Sequence, residues 1–141
     1  MTPVPDDLAG RIARLLRDVP DFPQPGVLFK DISPLLADAD AFAAVVEALT
    51  AVGHGADVDL VAGVEARGFL VAGAMATALG VGLVPVRKAG KLPPPTVSRR
   101  YDLEYGSAEI EVPVEVLAGR RVLLVDDVLA TGGTLRAAAE L

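Results

Sequence analysis

The chain has 141 residues, 52% of them hydrophobic, and a formal net charge of −6. That length and apolar content exclude a disordered tail and suit one self-sustaining domain over residues 1–141. The absence of Cys excludes disulfides, a thiol nucleophile and a thiolate metal site, and the negative charge with only six Phe and Tyr and no Trp argues against a nucleic-acid partner.

In chain order, residues 6–19 predict a helix, with Leu8, Ile12, Leu15, Leu16 and Val19 at helical spacing and Asp6 and Asp7 at its start. Residues 20–34 are proline-rich and irregular, yet hold Val27, Leu28 and Phe29, so this loop must fold back onto something. Residues 38–51 predict a second amphipathic helix. The lone His54 follows in Val52-Gly53-His54-Gly55, which reads as a turn. Residues 58–64 predict a buried strand, 65–68 a turn, 69–79 a helix and 83–86 a further strand. Residues 89–98, with Gly90 and Pro93-Pro94-Pro95, predict a long loop. Residues 101–105 and 108–112 predict a hairpin around Gly106, with Glu109 and Glu111 on the solvent side of its second strand. Residues 121–125 predict a continuous apolar strand and 135–141 the opening of a helix.

The order of these elements predicts an α/β fold with a largely parallel central sheet flanked by helices. The nineteen uncharged residues 68–86 match a membrane span in length, but their glycines and Pro85 favour a buried helix, turn and strand. No signal peptide is evident, and the absence of Cys fits a reducing, cytoplasmic setting.

Ligands of such sheets sit beyond the carboxyl ends of the strands. Three turns lie there: Glu65 to Gly68, Arg87 to Lys91 and Asp126 to Thr134. Residues 66–101 contain no acid but do contain Arg67, Arg87, Lys88, Lys91, Arg99 and Arg100. Such a basic window in an acidic chain suggests a small-anion site; the alternative is a solvated basic face.

The most informative run is Val122-Leu123-Leu124-Val125-Asp126-Asp127-Val128-Leu129-Ala130-Thr131-Gly132-Gly133-Thr134. A buried strand delivers two carboxylates to its end, and a two-glycine loop then feeds a helix. Asp126 and Asp127 suit sugar hydroxyls, which donate hydrogen bonds, and can sit near a divalent metal. Ala130, Thr131, Gly132, Gly133 and Thr134 suit a phosphate, through backbone N–H groups and hydroxyls. The run lacks the Lys of a nucleotide-triphosphate loop, and no G-x-G-x-x-G occurs in the chain. An acid-ended strand before an N-capped helix is the simpler alternative.

This run resembles the signature of the type I phosphoribosyltransferase family. Phe22-Pro23-Gln24-Pro25-Gly26-Val27-Leu28-Phe29-Lys30-Asp31-Ile32, Glu65-Ala66-Arg67-Gly68-Phe69, Val86-Arg87-Lys88-Ala89-Gly90-Lys91-Leu92-Pro93 and Tyr101-Asp102-Leu103-Glu104-Tyr105-Gly106 narrow the resemblance to its adenine branch. The resemblance implies the type I phosphoribosyltransferase fold with a small N-terminal hood loop. It implies transfer of the sugar of 5-phosphoribosyl-1-pyrophosphate, bound with Mg²⁺, to adenine. A homodimer is a further implication, whereas no nucleic acid or membrane partner is implied.

By the same resemblance, Glu65, Ala66 and Arg67 form a pyrophosphate turn, often across a non-proline cis peptide, and Arg87, Lys88 and Lys91 serve the same anion. Arg67 stabilises departing charge. Glu104, in a mobile lid, is the general base, with Tyr105 packed beside it; without the family Glu104 would pass for an exposed strand-end acid. Phe29 stacks on adenine while the backbone of Leu28 and Lys30 reads its edge, although Phe29 would also serve as an anchor for its loop. No residue is assigned as a direct metal ligand. A different acceptor base, or a non-catalytic sensor of the sugar pyrophosphate, are the competing readings. Family members usually run several tens of residues further, so the expectation is a domain truncated at its C-terminus.

Overall fold

The computed structural model describes residues 6–103 and 106–141. The chain divides into two compact units, Met1–Val52 and Gly53–Leu141.

The first unit opens with α1 (Asp6–Leu15), then β1 (Arg17–Pro20), β2 (Leu28–Asp31), α2 (Ser33–Ala37) and α3 (Ala39–Ala56), whose last turn enters the second unit. The helix predicted for 6–19 stops at Leu15 because residues 17–20 pair antiparallel with 28–31, Arg17 opposite Asp31 and Pro20 opposite Leu28. This pairing also turns part of the predicted irregular stretch into strand. Arg17 Nη2 donates to Asp31 Oδ2 at 2.7 Å, and Asp31 Oδ1 accepts the Ser33 N–H at 2.9 Å. Asp38 starts α3 as a side-chain cap, its Oδ1 accepting the Ala41 N–H at 2.8 Å.

The predicted turn at 52–55 is helix instead. Gly53 is a packing glycine: a Cβ there would lie 2.8 Å from Leu79 Cδ1, so the helix keeps glycine where it presses on its neighbour. His54 lies exposed in the last turn of α3.

The second unit continues with β3 (Leu60–Val64), α4 (Gly68–Leu79), β4 (Gly82–Lys88), β5 (Thr96–Leu103), β6 (Gly106–Pro113), α5 (Val114–Leu117), β7 (Val122–Val125) and α6 (Gly133–Ala139). Its sheet runs in the order β5-β6-β4-β3-β7. β3 is parallel to β4 and to β7, whereas β4 and β6, and β5 and β6, are antiparallel. The sheet is therefore mixed rather than largely parallel, because the hairpin of β5 and β6 joins the β4 edge.

Every residue of β3 is buried. Leu60, Ala62 and Val64 join Val84, Val86, Ile110, Val112 and Ala137 in one cluster. The alternate positions of β3 face α4, where Ala72 and Met75 are buried. Two covered faces explain a continuous apolar strand. Met75, Val61 and Val86 are the largest fully buried side chains, each stabilising the unit by roughly 1.5–3 kcal/mol relative to exposure. Among the described residues no helix is long and apolar enough to cross a membrane.

Candidate active site

The carboxyl ends of β3, β4 and β7 open onto one cleft, walled on its far side by the hairpin of β5 and β6. Its lining includes Glu65, Ala66 and Arg67 after β3, Lys88 at the end of β4, and Asp126, Asp127, Ala130 and Thr134 after β7. Those expected residues converge as the strand-end argument requires.

The turn after β3 is anchored by Glu65, whose N–H donates to the Val86 carbonyl at 2.9 Å and whose peptide bond to Ala66 is cis. The Glu65 side chain is nearly buried, yet ringed by donors. Lys91 Nζ donates to Oε1 at 2.7 Å, the Lys88 N–H donates to Oε2 at 2.8 Å, and Arg87 Nε lies 3.4 Å from Oε2. The Lys91 hydrogen bond is the main reason that the carboxyl is held at a pKa of about 2; burial opposes it and the Lys88 amide adds to it. Arg87 Nη1 also donates to the Lys91 carbonyl at 3.3 Å, so both cations are fixed relative to Glu65.

Arg67 Nε lies 2.8 Å from Asp127 Oδ2. This is an ion pair rather than an aligned hydrogen bond, since the buried Oδ2 takes no hydrogen bond among the described residues. The Asp127 N–H donates to Asp126 Oδ1 at 2.8 Å. Burial pushes the Asp126 carboxyl up to about 6, and the Asp127 side chain beside it pushes the same way. Adjacent acids on one strand end thus differ: Asp127 faces a guanidinium and Asp126 faces desolvation.

The loop after β7 is closed by its own side chains. Gly132 caps α6 at a φ of 82°, a left-handed conformation that glycine adopts without a Cβ clash. The Thr131 hydroxyl accepts the Gly133 N–H at 3.3 Å. Thr134 Oγ1 donates to the Tyr101 hydroxyl at 3.1 Å, tying β5 to the start of α6. Thr131, Gly132 and Gly133 shape this loop without lining the cleft, and Arg87 and Lys91 stand behind Glu65.

Three expectations need correction. Arg99 and Arg100 do not line the cleft: Arg99 pairs with Glu140, and Arg100 Nη2 lies 3.6 Å from Oε2 of Glu109, which does line it. Glu111 is not on a solvent face but buried, because the loop after β4 folds over it and donates its N–H groups. The loop predicted for 89–98 is shorter, since Thr96 already pairs with Pro113. Sequence reasoning also passed over Tyr101, Ser107, Ala108 and Ile110 as cleft residues. Their only signal was membership of the predicted hairpin.

Leu28, Phe29 and Lys30 lie on β2 in the first unit. Leu28 is 54% exposed, the Phe29 ring meets Phe22 edge-on at 5.1 Å, and Lys30 Nζ donates to Asp18 Oδ1 at 2.5 Å. Glu104 and Tyr105 lie outside the described residues.

The family model described as "Phosphoribosyl transferase domain" matches residues 35–141. A protein of Mycobacterium sp. (strain KMS) named adenine phosphoribosyltransferase is 57% identical over 137 residues, which are 96% of this chain and 78% of that protein. The chain belongs to the adenine phosphoribosyltransferase family. Its fold agrees with that membership. The adenine phosphoribosyltransferase of Thermoanaerobacter pseudethanolicus superposes with a TM-score of 0.87 at 50% identity, over 94% of this chain and 77% of that one. The Saccharomyces cerevisiae enzyme, solved with adenine and an imino-altritol bisphosphate, gives 0.87 at 40% identity, over 96% and 80%. The type I phosphoribosyltransferase fold is therefore the family fold, and its sheet is mixed.

Proposed function

We propose that this chain transfers the 5-phosphoribosyl group of 5-phosphoribosyl-1-pyrophosphate to adenine, giving AMP and pyrophosphate, a purine-salvage reaction. The observation that carries the reading is the convergence of the turns after β3 and β7 and the end of β4 on one cleft. It brings Arg67 and Lys88 opposite the paired acids Asp126 and Asp127. Relatives named for this activity at 57% identity support it, as does a solved relative that holds adenine. The family match crosses the boundary between the two units, which supports one phosphoribosyltransferase domain over residues 1–141.

On this reading, Asp126 and Asp127 accept from the ribose hydroxyls, and Ala130, Thr131, Gly132, Gly133 and Thr134 receive the 5-phosphate. Glu65, Ala66, Arg67, Arg87, Lys88 and Lys91 form the pyrophosphate side. The C1′–oxygen bond to pyrophosphate breaks, the sugar passes through an oxocarbenium-like state, and the adenine nitrogen attacks C1′ while its proton passes to Glu104. Charge on the departing pyrophosphate is the largest demand, and a two-pronged guanidinium at Arg67 meets it. Leu28, Phe29 and Lys30 take the base.

Among the described residues no three His, Cys, Asp or Glu gather at one point. On this reading a Mg²⁺ enters with the substrate's oxygens, and Asp126 and Asp127 are acids of the cleft that could stand near it. When bound, the ion would neutralise pyrophosphate charge. A cytoplasmic homodimer completes the proposal.

The test is a Mg²⁺-dependent assay with phosphoribosyl pyrophosphate and a panel of purine and pyrimidine bases, run beside Glu104→Gln. The expected result is AMP from adenine alone, with the variant's kcat lowered roughly 10²–10⁴-fold. Product from another base redirects the specificity. No product from this chain or from one with a longer C-terminus, with the sugar pyrophosphate still bound, overturns the transferase in favour of a sensor.

A further inference from the structure

Glu111 is a buried acid that the proposed chemistry does not use. It lies on β6 between Ile110 and Val112, and all three are buried. A carboxylate tolerates such a place only when its oxygens are satisfied. Here Oε1 accepts the Leu92 N–H at 2.7 Å and the Lys91 N–H at 3.1 Å. The Leu92 amide above all, with those of Gly90 and Lys91, outweighs burial and holds the carboxyl below the ordinary range. The loop after β4 is thus wrapped around one charged acceptor.

That loop carries Lys91, whose ammonium meets Glu65 at 2.7 Å and whose carbonyl accepts from Arg87 at 3.3 Å. Arg87 and Glu111 are themselves register partners across β4 and β6. One side chain therefore fixes the backbone from which Lys91 reaches Glu65, which lines the cleft. A lysine on an unheld loop would spread its charge over many positions, and ordering it on binding would weaken the complex.

We infer that Glu111 is a positioning residue for pyrophosphate: by holding the N–H groups of Lys91 and Leu92, it sets where the Lys91 ammonium stands. This rests on the reading that Lys91 receives pyrophosphate. Glu111 acts through Lys91 and touches no substrate.

The test compares Glu111→Ala, Glu111→Gln, Lys91→Ala and the Glu111→Ala/Lys91→Ala double variant in the full chain. Glu111→Ala is expected to raise the KM for phosphoribosyl pyrophosphate, and weaken inhibition by pyrophosphate, roughly tenfold to a hundredfold, with kcat changed far less. Glu111→Gln, whose Oε1 still accepts, restores much of both. In the double variant the Glu111 change adds little, since its route is already cut. A Glu111→Ala protein with lowered thermal stability but unaltered KM and pyrophosphate inhibition overturns the inference; so do additive effects in the double variant. A Lys91→Ala protein that pyrophosphate inhibits normally overturns the underlying reading as well. If Glu111→Ala does not fold, Glu111→Asp replaces it, its shorter carboxylate being expected to raise the same KM.

Discussion

Asp126→Asn is expected to make the folded chain more stable at pH 7, and the gain follows from the pKa of about 6 at that site. An unfolded aspartate titrates near 3.8. The native carboxyl therefore binds its proton more tightly than the unfolded one does. The stability so contributed is fully present below 3.8 and lost as pH rises through about 6. Above that window the wild type keeps a half-buried charge beside Asp127. At about 1.4 kcal/mol per unit the full shift would cost about 3 kcal/mol, and solvent screening of the partly exposed Asp126 lowers this to about 1–2 kcal/mol. Asparagine removes the charge and keeps Oδ1, which accepts the Asp127 N–H. Thermal unfolding of both proteins across the acid-to-neutral range measures the effect. The variant's Tm is expected to exceed the wild type's by roughly 3–6 °C at pH 7, with the difference shrinking towards zero near pH 4. A variant no more stable at pH 7, or a difference that does not change with pH, refutes the argument.

Gly63→Ala is expected to destabilise the second unit by roughly 1–3 kcal/mol in thermal or urea unfolding, because overpacking a rigid core forces its backbone apart. The added Cβ would stand 2.7 Å from Ala72 Cβ and 3.1 Å from the Gly68 carbonyl oxygen, and an unchanged midpoint would contradict this. Arg67→Lys is expected to lower kcat/KM roughly tenfold to a hundredfold, since a lysine lacks the planar fork while Asp127 still needs a cation. Wild-type steady-state kinetics in that variant would remove Arg67 from the pyrophosphate side.

The parts of the fold that were legible are those whose signal is local. The apolar run at 122–125 followed by two acids and two glycines reads as strand, turn and helix without knowledge of the rest. The predicted strands and helices of the second unit fall within a few residues of β3, α4, β4 and β7. What was not legible depends on partners distant in sequence. Residues 17–19 continue a helical spacing, and only the pairing of 17–20 with 28–31 makes them strand. The hairpin of β5 and β6 was legible from its alternation around Gly106, but nothing local says that it joins the edge of β4 antiparallel and makes the sheet mixed. Glu111 is the sharpest case. Period-two alternation places it outward with Glu109, and that inference holds only while nothing covers the outward face. The loop after β4 covers it, and its amides turn an expected surface acid into a buried anchor.

Charge around the cleft is held in internal pairs, and on the proposed reading this bears on which anion is accepted. Glu65 faces Lys91 and Arg87, and Asp127 faces Arg67. On the proposed reading an incoming phosphate must draw these cations away from carboxylates that are already well placed. Drawing a cation off a nearly buried carboxylate leaves that charge uncompensated, which is costly. Glu65 is protected from the full cost, because the Lys88 N–H still holds its Oε2 after Lys91 moves. Even so, the exchange favours a ligand that brings enough negative charge to engage several cations at once. Pyrophosphate does so, and a single phosphate does so less. On that reading the acids beside the cations act as a threshold that favours the anion with the higher charge.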